Sequence, residues 1–182
     1  MHTLRFPAAA LGFPQSLLMP SVAALWMLWL WTRSPTVGWL SGPGLMVAGL
    51  CAWTLLEYLL HRIMLHRVEP FRGWHLRHHL RPEVPMRTPM VFSAMLILPV
   101  GTLPILLNTR MGPAAAFSLG LLVGHLLQEI VHHRLHMATH PVNAWLLERW
   151  RKHAFHHQRN EHVAYGTLTG FWDAVLGTSV AQ

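Results

Sequence analysis

Charged side chains are scarce in this sequence: aspartate, glutamate, lysine and arginine supply only 12% of its 182 residues. Soluble domains average about 25% of such residues, so the scarcity argues against an ordinary soluble fold. Hydrophobic residues make up 52% of the chain, and the mean hydropathy is +0.31. This balance favours an integral membrane protein, and the length suits a single domain over residues 1–182.

Cysteine is almost absent as well. The single residue of this type, Cys51, lies inside an apolar stretch and cannot form an internal disulfide bond, so a disulfide scaffold is excluded. The scarcity of cysteine also argues against iron–sulfur clusters and structural zinc ribbons. The carboxylate signature of helical-bundle di-iron proteins is missing too, apart from Glu129 three residues before His132.

Acidic residues number only seven against fourteen lysines and arginines, which gives a formal net charge of +7. Such a charge can indicate nucleic-acid binding, but the arginines do not form the basic face interleaved with aromatic residues that such binding favours. They cluster beside apolar segments, where they suit anionic lipid head groups. We therefore expect a membrane, and no nucleic acid, as partner.

Histidine, in contrast, is abundant, and ten of its fifteen copies fall into four tight clusters. The clusters are His61 with His66; His75, His78 and His79; His132 with His136; and His153, His156 and His157. Neutral imidazole is the commonest metal ligand among side chains, and short repeated spacings bring several rings to one point. The pattern predicts an all-histidine site for two transition metals, with zinc, copper, iron and nickel all compatible.

Helical geometry decides which rings of one cluster can act together. Residues three or four apart share one face of an α-helix, so each H-x-x-H-H block can place ligands on both sides of a metal pair. His133 falls on a different face from His132 and His136. His61 and His66 are five residues apart, about 140° around an ideal helix, and this pair requires either an uncoiled end or two different metals.

The histidines outside the clusters have simpler interpretations, because a lone histidine near a membrane is more often interfacial or hydrogen-bonded than a ligand. The residues concerned are His2, His125, His133, His140 and His162. Carboxylates commonly orient metal-bound imidazoles, and Glu57 and Glu129 are the candidates for that role. Ion pairing with a nearby arginine is an equally good interpretation of both.

Four apolar runs are candidates to span a bilayer as helices. They cover residues 17–31, 39–60, 90–107 and 113–127. A crossing needs about 20 apolar residues; the second and third runs satisfy this, and the first and fourth are marginal. Four crossings put both histidine segments, 61–88 and 128–182, on one side of the membrane. The predicted fold is all-α, with four transmembrane helices and a cytosolic helical cap that holds the histidine-rich dimetal site.

Basic residues indicate which side of the membrane that is. The two histidine segments carry Arg62, Arg67, Arg72, Arg77, Arg81, Arg87, Arg134, Arg149, Arg151, Lys152 and Arg159. The opposite connections offer only Arg33 and Arg110. The positive-inside rule then places the histidine segments and both termini in the cytoplasm, in a multi-pass membrane protein.

Several stretches of the sequence resemble one known family. Besides the histidine clusters they are Glu57-Tyr-Leu-Leu-His61-Arg, Val84-Pro-Met86, Pro89-Met-Val-Phe92, Gly124 eight residues before His132, and Phe171-Trp-Asp-Ala-Val-Leu-Gly-Thr178. Over roughly residues 57–178 the chain resembles the fatty acid hydroxylase and sterol desaturase superfamily of integral membrane oxygenases. Within that superfamily it most resembles the fatty acid 2-hydroxylases.

The resemblance implies O2-dependent hydroxylation of a lipid acyl chain, at the carbon beside the carboxyl or amide group. It implies that the ten clustered histidines are the ligands of two iron ions, since redox-inert zinc cannot activate O2, although zinc can occupy a purified preparation. Relatives in this subfamily can carry a fused cytochrome b5 domain. Because none fits within this chain, a separate electron donor is expected, either a ferredoxin or a cytochrome b5-like protein.

Other functions fit parts of the pattern. A carotenoid ring hydroxylase or a sterol-type oxidase of the same superfamily would share the histidine clusters and act on a different lipid. A histidine-rich membrane metal transporter or sensor would carry its ligands near the bilayer midplane, where only His125 falls. A membrane haem protein with two axial histidines would leave most of the clusters without a role. The form of the acyl substrate (free acid, acyl-CoA or ceramide-like amide) and its chain length stay open.

Overall fold

The structure is a computed structural model that describes residues 10–34, 41–82, 84, 87–106, 111–137 and 143–180. Within these ranges the chain is mostly helical. The helices are α1 (Leu18–Arg33), α2 (Ser41–Leu59), α3 (Phe71–Leu80), α4 (Met90–Leu106), α5 (Met111–Met137), α6 (Ala144–Gln158) and α7 (Phe171–Val175). The remaining elements are strands β1 (Ala10–Gly12) and β2 (Arg87–Pro89), a 3₁₀ turn at Gln15–Leu17 and a π-helical turn at Leu60–Leu65.

The chain forms two compact units, of which the first, the apolar unit, has its described residues within Ala8–Trp53 and Arg87–Leu127. Its core is built by side chains from α1, α4 and α5, namely Ala24, Met27, Leu30, Ile97, Ala115, Leu119 and Leu122. The intervals of three or four residues within α1 and within α5 put these side chains on one face of each helix. The unit therefore packs by ordinary helix-on-helix burial of apolar residues.

The outward faces of the same helices are apolar too. On α1, Leu18, Val22 and Leu25 are 62%, 66% and 66% exposed, and on α4 Leu98 is 61% exposed. A surface helix of a soluble domain carries polar residues on that face, whereas a helix that is apolar all round is typical of a buried or membrane-spanning segment. These exposed faces suit contact with lipid.

Two glycines let α2 and α5 approach each other closely. A Cβ atom at Gly49 of α2 would overlap the backbone carbonyl of Phe117, and one at Gly120 of α5 would overlap that of Met46. Small residues at a crossing allow helix backbones to come into contact, as is common between membrane helices. Gly49 and Gly120 therefore fix the place where the two helices cross.

A small sheet in the apolar unit departs from the all-α prediction. Strand β1 pairs antiparallel with β2, with Ala10 opposite Pro89 and Gly12 opposite Arg87. Strands of three residues are too short to show the alternation of apolar and polar residues that reveals a strand in a sequence. The pairing holds the chain before α1 next to the chain before α4.

Each of the four predicted apolar runs overlaps a helix: α1, α2, α4 and α5 in turn. Two helical stretches are long and apolar enough to cross a membrane, the 25-residue Ser41–Leu65 and the 27-residue Met111–Met137. Helices α1 and α4 have 16 and 17 residues within the described chain. Trp39, where the second run was predicted to begin, and Leu107, where the third was predicted to end, lie outside the described residues. Four crossings remain a prediction.

The second unit, the histidine unit, has its described residues within Thr54–Met86 and Gln128–Gln182. It contains the carboxyl-terminal parts of α2 and α5, the π-helical turn, α3, α6 and α7. Helix α6 begins after Asn143, whose side-chain oxygen accepts a hydrogen bond from the backbone N–H of Leu146 at 2.8 Å, a common N-cap. The buried polar side chains of this unit include six histidines.

Candidate metal centre

The ten clustered histidines come together in two groups of five within the histidine unit. The first group is His61, His66, His75, His79 and His156, and the second group is His78, His132, His136, His153 and His157. In each group the candidate ligand nitrogens all lie within 4.8 Å of one another. Each group therefore has the size and the donor type to hold one metal ion.

Helical spacing sorts the members of one sequence cluster between the two groups. On α3, His75 and His79 are one turn apart and belong to the first group, whereas His78 belongs to the second. On α6, His153 and His157 are one turn apart and belong to the second group, whereas His156 belongs to the first. On α5, His132 and His136 are one turn apart, and both belong to the second group.

His61 and His66 belong to the same group although five residues separate them. The chain at Leu60–Leu65 is π-helical, and a π turn is closed by hydrogen bonds between residues five apart. The two imidazoles therefore lie together, with ring centroids 5.1 Å apart. An ideal α-helix would have required an uncoiled end or two different metals for this pair. The π-helical turn is a third arrangement, and it places both histidines in one group. Single π turns are rare and occur frequently at functional sites.

Within each group the ring nitrogens face one another at short distances. In the first group, Nε2 of His75 lies 3.0 Å from Nε2 of His61 and 3.0 Å from Nε2 of His79. In the second group, Nε2 of His136 lies 3.1 Å from that of His132 and 2.8 Å from that of His153. Two nitrogens bound at right angles to one ion, each at about 2.1 Å, lie about 3 Å apart. The separations therefore fit nitrogens that share an ion.

Backbone carbonyls fix the protons of two imidazoles in the first group. Nδ1 of His61 is 2.6 Å from the carbonyl oxygen of Tyr165, and Nδ1 of His156 is 2.7 Å from that of Val163. Because a carbonyl oxygen only accepts, each Nδ1 carries the hydrogen and donates it, which leaves the lone pair of Nε2 free. Metal-bound histidines commonly have such a partner. The sequence carries no signal for these two carbonyls, since every residue has one.

Burial keeps the imidazoles of the centre neutral. Burial, together with repulsion from neighbouring histidines, lowers the pKa of His66 and of His78 to about 3 and the pKa of His79 to about 2. For the same reasons the pKa of His153 lies well below its usual value. An imidazole must be neutral to bind a metal. At neutral pH these rings therefore offer lone pairs.

The two groups are neighbours. The ring of His79 in the first group stacks on the ring of His157 in the second, with centroids 4.0 Å apart and planes inclined by 12°. Both ring nitrogens of His157 are buried and have no hydrogen-bond partner in the part of the chain that the structure describes. A buried polar atom without a partner is costly, and a bound ion would satisfy one of these nitrogens. The donor set therefore fits two metal ions side by side.

The two candidate carboxylates have different surroundings. The Oε1 atom of Glu57 accepts a hydrogen bond from the backbone N–H of Thr167 at 2.6 Å. Thr167 lies two residues after Tyr165, whose carbonyl is the partner of His61. An orienting role of Glu57 toward His61 stays a prediction. Glu129 is buried on α5, and its role toward an imidazole stays a prediction.

The histidines outside the four clusters lie outside both groups wherever the structure describes them. These are His125, His133 and His162, whereas His2 and His140 lie outside the described residues. His125 is buried in the apolar unit, with its ring centroid 4.9 Å from that of Trp53. His133 is half-buried on α5, and His162 is exposed.

The chain is similar to known enzymes over most of its length. The family model for fatty acid hydroxylases matches residues 46–178, more than half of the chain. A dihydroceramide fatty acyl 2-hydroxylase of Arabidopsis thaliana is 34% identical over 148 residues, which cover 74% of this chain and 60% of that protein. A ceramide very long chain fatty acid hydroxylase of Schizosaccharomyces pombe is 31% identical over 145 residues, which cover 72% and 41%. The human fatty acid 2-hydroxylase is 28% identical over 148 residues, which cover 75% and 39%.

The fold is also similar to that of a solved structure. The hydroxylase domain visible in full-length Scs7p superposes with a TM-score of 0.67 at 24% sequence identity. The match covers 92% of this chain and 63% of that one. At this identity the likeness concerns the fold alone. The chain spans 60% of the Arabidopsis relative's length and less of the other two.

Proposed function

The chain belongs to the fatty acid hydroxylase family, and on that premise we propose that it is a membrane-bound di-iron oxygenase that hydroxylates a lipid acyl chain. The proposed position is the carbon beside the carboxyl or amide group. One oxygen atom of O2 enters the C–H bond and the other leaves as water, which consumes two electrons and two protons. The electrons come from a separate donor protein, a ferredoxin or a cytochrome b5-like protein.

The pairing of two five-histidine groups is the observation that carries this proposal. The proposed ligands are His61, His66, His75, His79 and His156 for one ion and His78, His132, His136, His153 and His157 for the other. Imidazole accepts several transition metals, and iron is redox-active where zinc is not. Two iron ions bound there would supply the redox chemistry that activates O2.

The surrounding residues orient the ligands and limit the access of water. The carbonyls of Val163 and Tyr165 hold Nδ1 of His156 and His61, so that each Nε2 lone pair keeps its direction. The ring of Tyr165 is itself buried and lies with its centroid 5.5 Å from the rings of His61 and His156. A buried aromatic ring at this distance occupies space that water would otherwise fill on that side of the first group.

The proposed location is the membrane, with four crossings and with the histidine unit and both termini in the cytoplasm. Support comes from the two helical stretches long enough to cross, Ser41–Leu65 and Met111–Met137. The apolar outward faces of α1 and α4 add to it. Basic residues concentrated in the histidine segments favour the cytoplasmic side.

The proposed substrate is an acyl chain in a membrane lipid or a free fatty acid. The relatives described above are hydroxylases of fatty acids, of dihydroceramide fatty acyl chains and of ceramide very long chain fatty acids. These similarities favour an acyl chain over a carotenoid ring or a sterol. The excess of basic residues suits an acidic electron donor, because complementary charge raises the rate of association.

Lipid analysis by mass spectrometry, after expression in a host supplied with candidate lipids, tests the proposal. The active chain adds a hydroxyl group to carbon 2 of acyl chains. His78→Ala and His156→Ala, one substitution in each group, abolish the product while the protein still inserts into the membrane. His162→Ala, at an exposed histidine outside both groups, keeps it. A hydroxylated carotenoid or sterol as the only product, or full activity in either of the first two variants, would overturn the proposal.

A further inference from the structure

The two histidine groups differ in what holds their imidazoles. In the first group, His61 and His156 donate from Nδ1 to backbone carbonyls. In the second group, Nδ1 of His78 and both ring nitrogens of His157 are buried and have no hydrogen-bond partner among the residues that the structure describes. A ligand with a fixed ring loses less freedom when it binds a metal than one whose orientation depends on the metal itself.

The carbonyls that hold the first group belong to one short segment, residues 163–167, which is itself held on its other side. The backbone N–H of Tyr165 and that of Gly166 donate to the two carboxylate oxygens of Asp173, each at 2.9 Å. The N–H of Ala164 donates to the carbonyl of Thr178 at 2.8 Å. These bonds aim the N–H groups of the segment away from the centre, so that the carbonyls of Val163 and Tyr165 can face the imidazoles.

Backbone strain shows that outside contacts impose this conformation. Ala164, the residue between the two residues whose carbonyls accept these hydrogen bonds, has a φ of +56°, in the left-handed region that residues other than glycine rarely occupy. A strained residue of this kind persists only where its surroundings over-determine it. The hydrogen bonds of its neighbours to Asp173 provide such surroundings.

Asp173 is fixed in turn by a directed series of hydrogen bonds. The Thr178 hydroxyl donates its only hydrogen to Oδ1 of Asp173 at 2.8 Å. In its 3.0 Å contact with Tyr58 it must therefore accept, and the Tyr58 hydroxyl donates. Arg62, on the π-helical turn between His61 and His66, donates to the Tyr58 oxygen at 2.7 Å. The buried carboxylate therefore accepts three hydrogen bonds. The series that holds it begins on the turn that carries His61 and ends just before His66.

We propose that Asp173 is a positioning residue for the first group alone, and that the two groups consequently hold their metal ions unequally. The first group, with its carbonyl-anchored imidazoles, binds its ion more tightly and releases it more slowly than the second. This rests on the proposed function only in that both groups bind a metal. It gives a role to the carboxyl-terminal stretch Phe171–Thr178, whose sequence stands out but which contributes no ligand.

Metal release from the full-length protein in detergent tests the proposal without a substrate or an electron donor. The protein is loaded with Co²⁺, an excess of chelator is added, and cobalt release is followed by absorbance. The wild type releases its ions in two phases of equal size. His157→Ala removes the fast phase, which assigns it to the second group. Asp173→Asn speeds the slow phase about 10- to 100-fold, the range typical of partners that orient a metal ligand, and leaves the fast phase unchanged.

Two further variants separate positioning from general stability. Thr178→Val removes one of the three hydrogen bonds to Asp173 and speeds the slow phase by a smaller factor, which keeps the test valid if Asp173→Asn does not fold. Trp172→Phe removes a hydrogen bond from the neighbouring residue to Thr54 and leaves both release rates unchanged.

Three results would contradict the proposal: a single release phase in the wild type, equal acceleration of both phases by Asp173→Asn, or no acceleration by either Asp173→Asn or Thr178→Val. Failure of the premise that both groups bind a metal looks different, because the wild type would then bind no cobalt at all. Failure of the proposed hydroxylation appears in the lipid analysis and leaves cobalt release unchanged.

Discussion

The core cluster of the apolar unit is built of methionine, leucine, isoleucine and alanine side chains, whereas the buried residues of the histidine unit include imidazoles, carboxylates and hydroxyls. Apolar contacts have no direction, so a core such as that around Met27 tolerates changes that keep its volume. Buried polar groups need partners at defined distances. The histidine unit supplies them from separate parts of the chain, as in the bond from Thr167 to Glu57 across 110 residues of sequence. We therefore expect the apolar core to depend on shape and the histidine unit on its hydrogen-bonding partners, so that different changes perturb each of them.

Removal of bound metal should have the largest effect, and it should act on the histidine unit. A ligand that binds only the folded state stabilises it by about 4 kcal/mol when its free concentration is about a thousand times its Kd, for each ion. After chelation, hydrogen exchange measured by mass spectrometry should rise strongly in α3 and α6 and remain low in α1. Chelator already saturated with metal is the control. Equal loosening of α1 would show that the two units do not respond separately.

Acid should weaken the metal-free histidine unit next. Unfolded histidines bind protons near pH 6.5, whereas burial lowers the pKa of folded His66 and His78 to about 3. Since the folded-state pKa values are the lower ones, their contribution to stability is fully present above about pH 6.5 and is lost as the pH falls toward 3. Limited proteolysis at a series of pH values should show cleavage in α3 and α6 before α1. Constant protection of those helices down to about pH 4 would contradict this.

A cavity in the apolar unit should destabilise that unit and leave metal binding by the histidine unit unchanged. Met27 is fully buried in the core, so Met27→Ala should cost about 2–5 kcal/mol of unfolding free energy. Leu25→Ala, on the exposed face of the same helix, should change it by less than about 0.5 kcal/mol in detergent. Denaturant unfolding followed by tryptophan fluorescence measures both. Metal content should stay unchanged in each variant. Loss of metal in Met27→Ala would show that a cavity in the apolar unit also disturbs the histidine unit.

The helix crossing offers the smallest and most local test. Gly49→Ala places a methyl group against the Phe117 carbonyl and should cost about 1–3 kcal/mol. Gly44→Ala lies on the same helix with open space around it, and it should be neutral or stabilise by up to about 1 kcal/mol because alanine favours helix. Thermal unfolding of the two variants side by side gives the difference. Equal melting temperatures would exclude a close approach at Gly49.

Sequence alone predicted much of the helical layout, because long apolar runs have few alternatives to a helix; α1 occupies Leu18–Arg33 where residues 17–31 were expected. The ten histidines could be singled out because their spacing is improbable without a shared role. The π-helical turn at Leu60–Leu65 could not, since the angular rule used for His61 and His66 assumes an ideal α-helix. Backbone partners such as the Tyr165 carbonyl leave no trace in side-chain identity. For the same reason the partner of Glu57 could not be foreseen.

Metal analysis of the purified protein, combined with X-ray absorption spectroscopy, tests directly whether the ten histidines hold two metal ions. We expect two ions per chain, with imidazole nitrogens at about 2.1 Å and no sulfur among the protein ligands of each ion. We also expect that His79→Ala and His157→Ala, one in each group, lower the affinity for different ions, whereas His133→Ala leaves both in place. A wild-type protein that binds one ion or none under metal-replete conditions would show that the two groups do not form a dimetal centre.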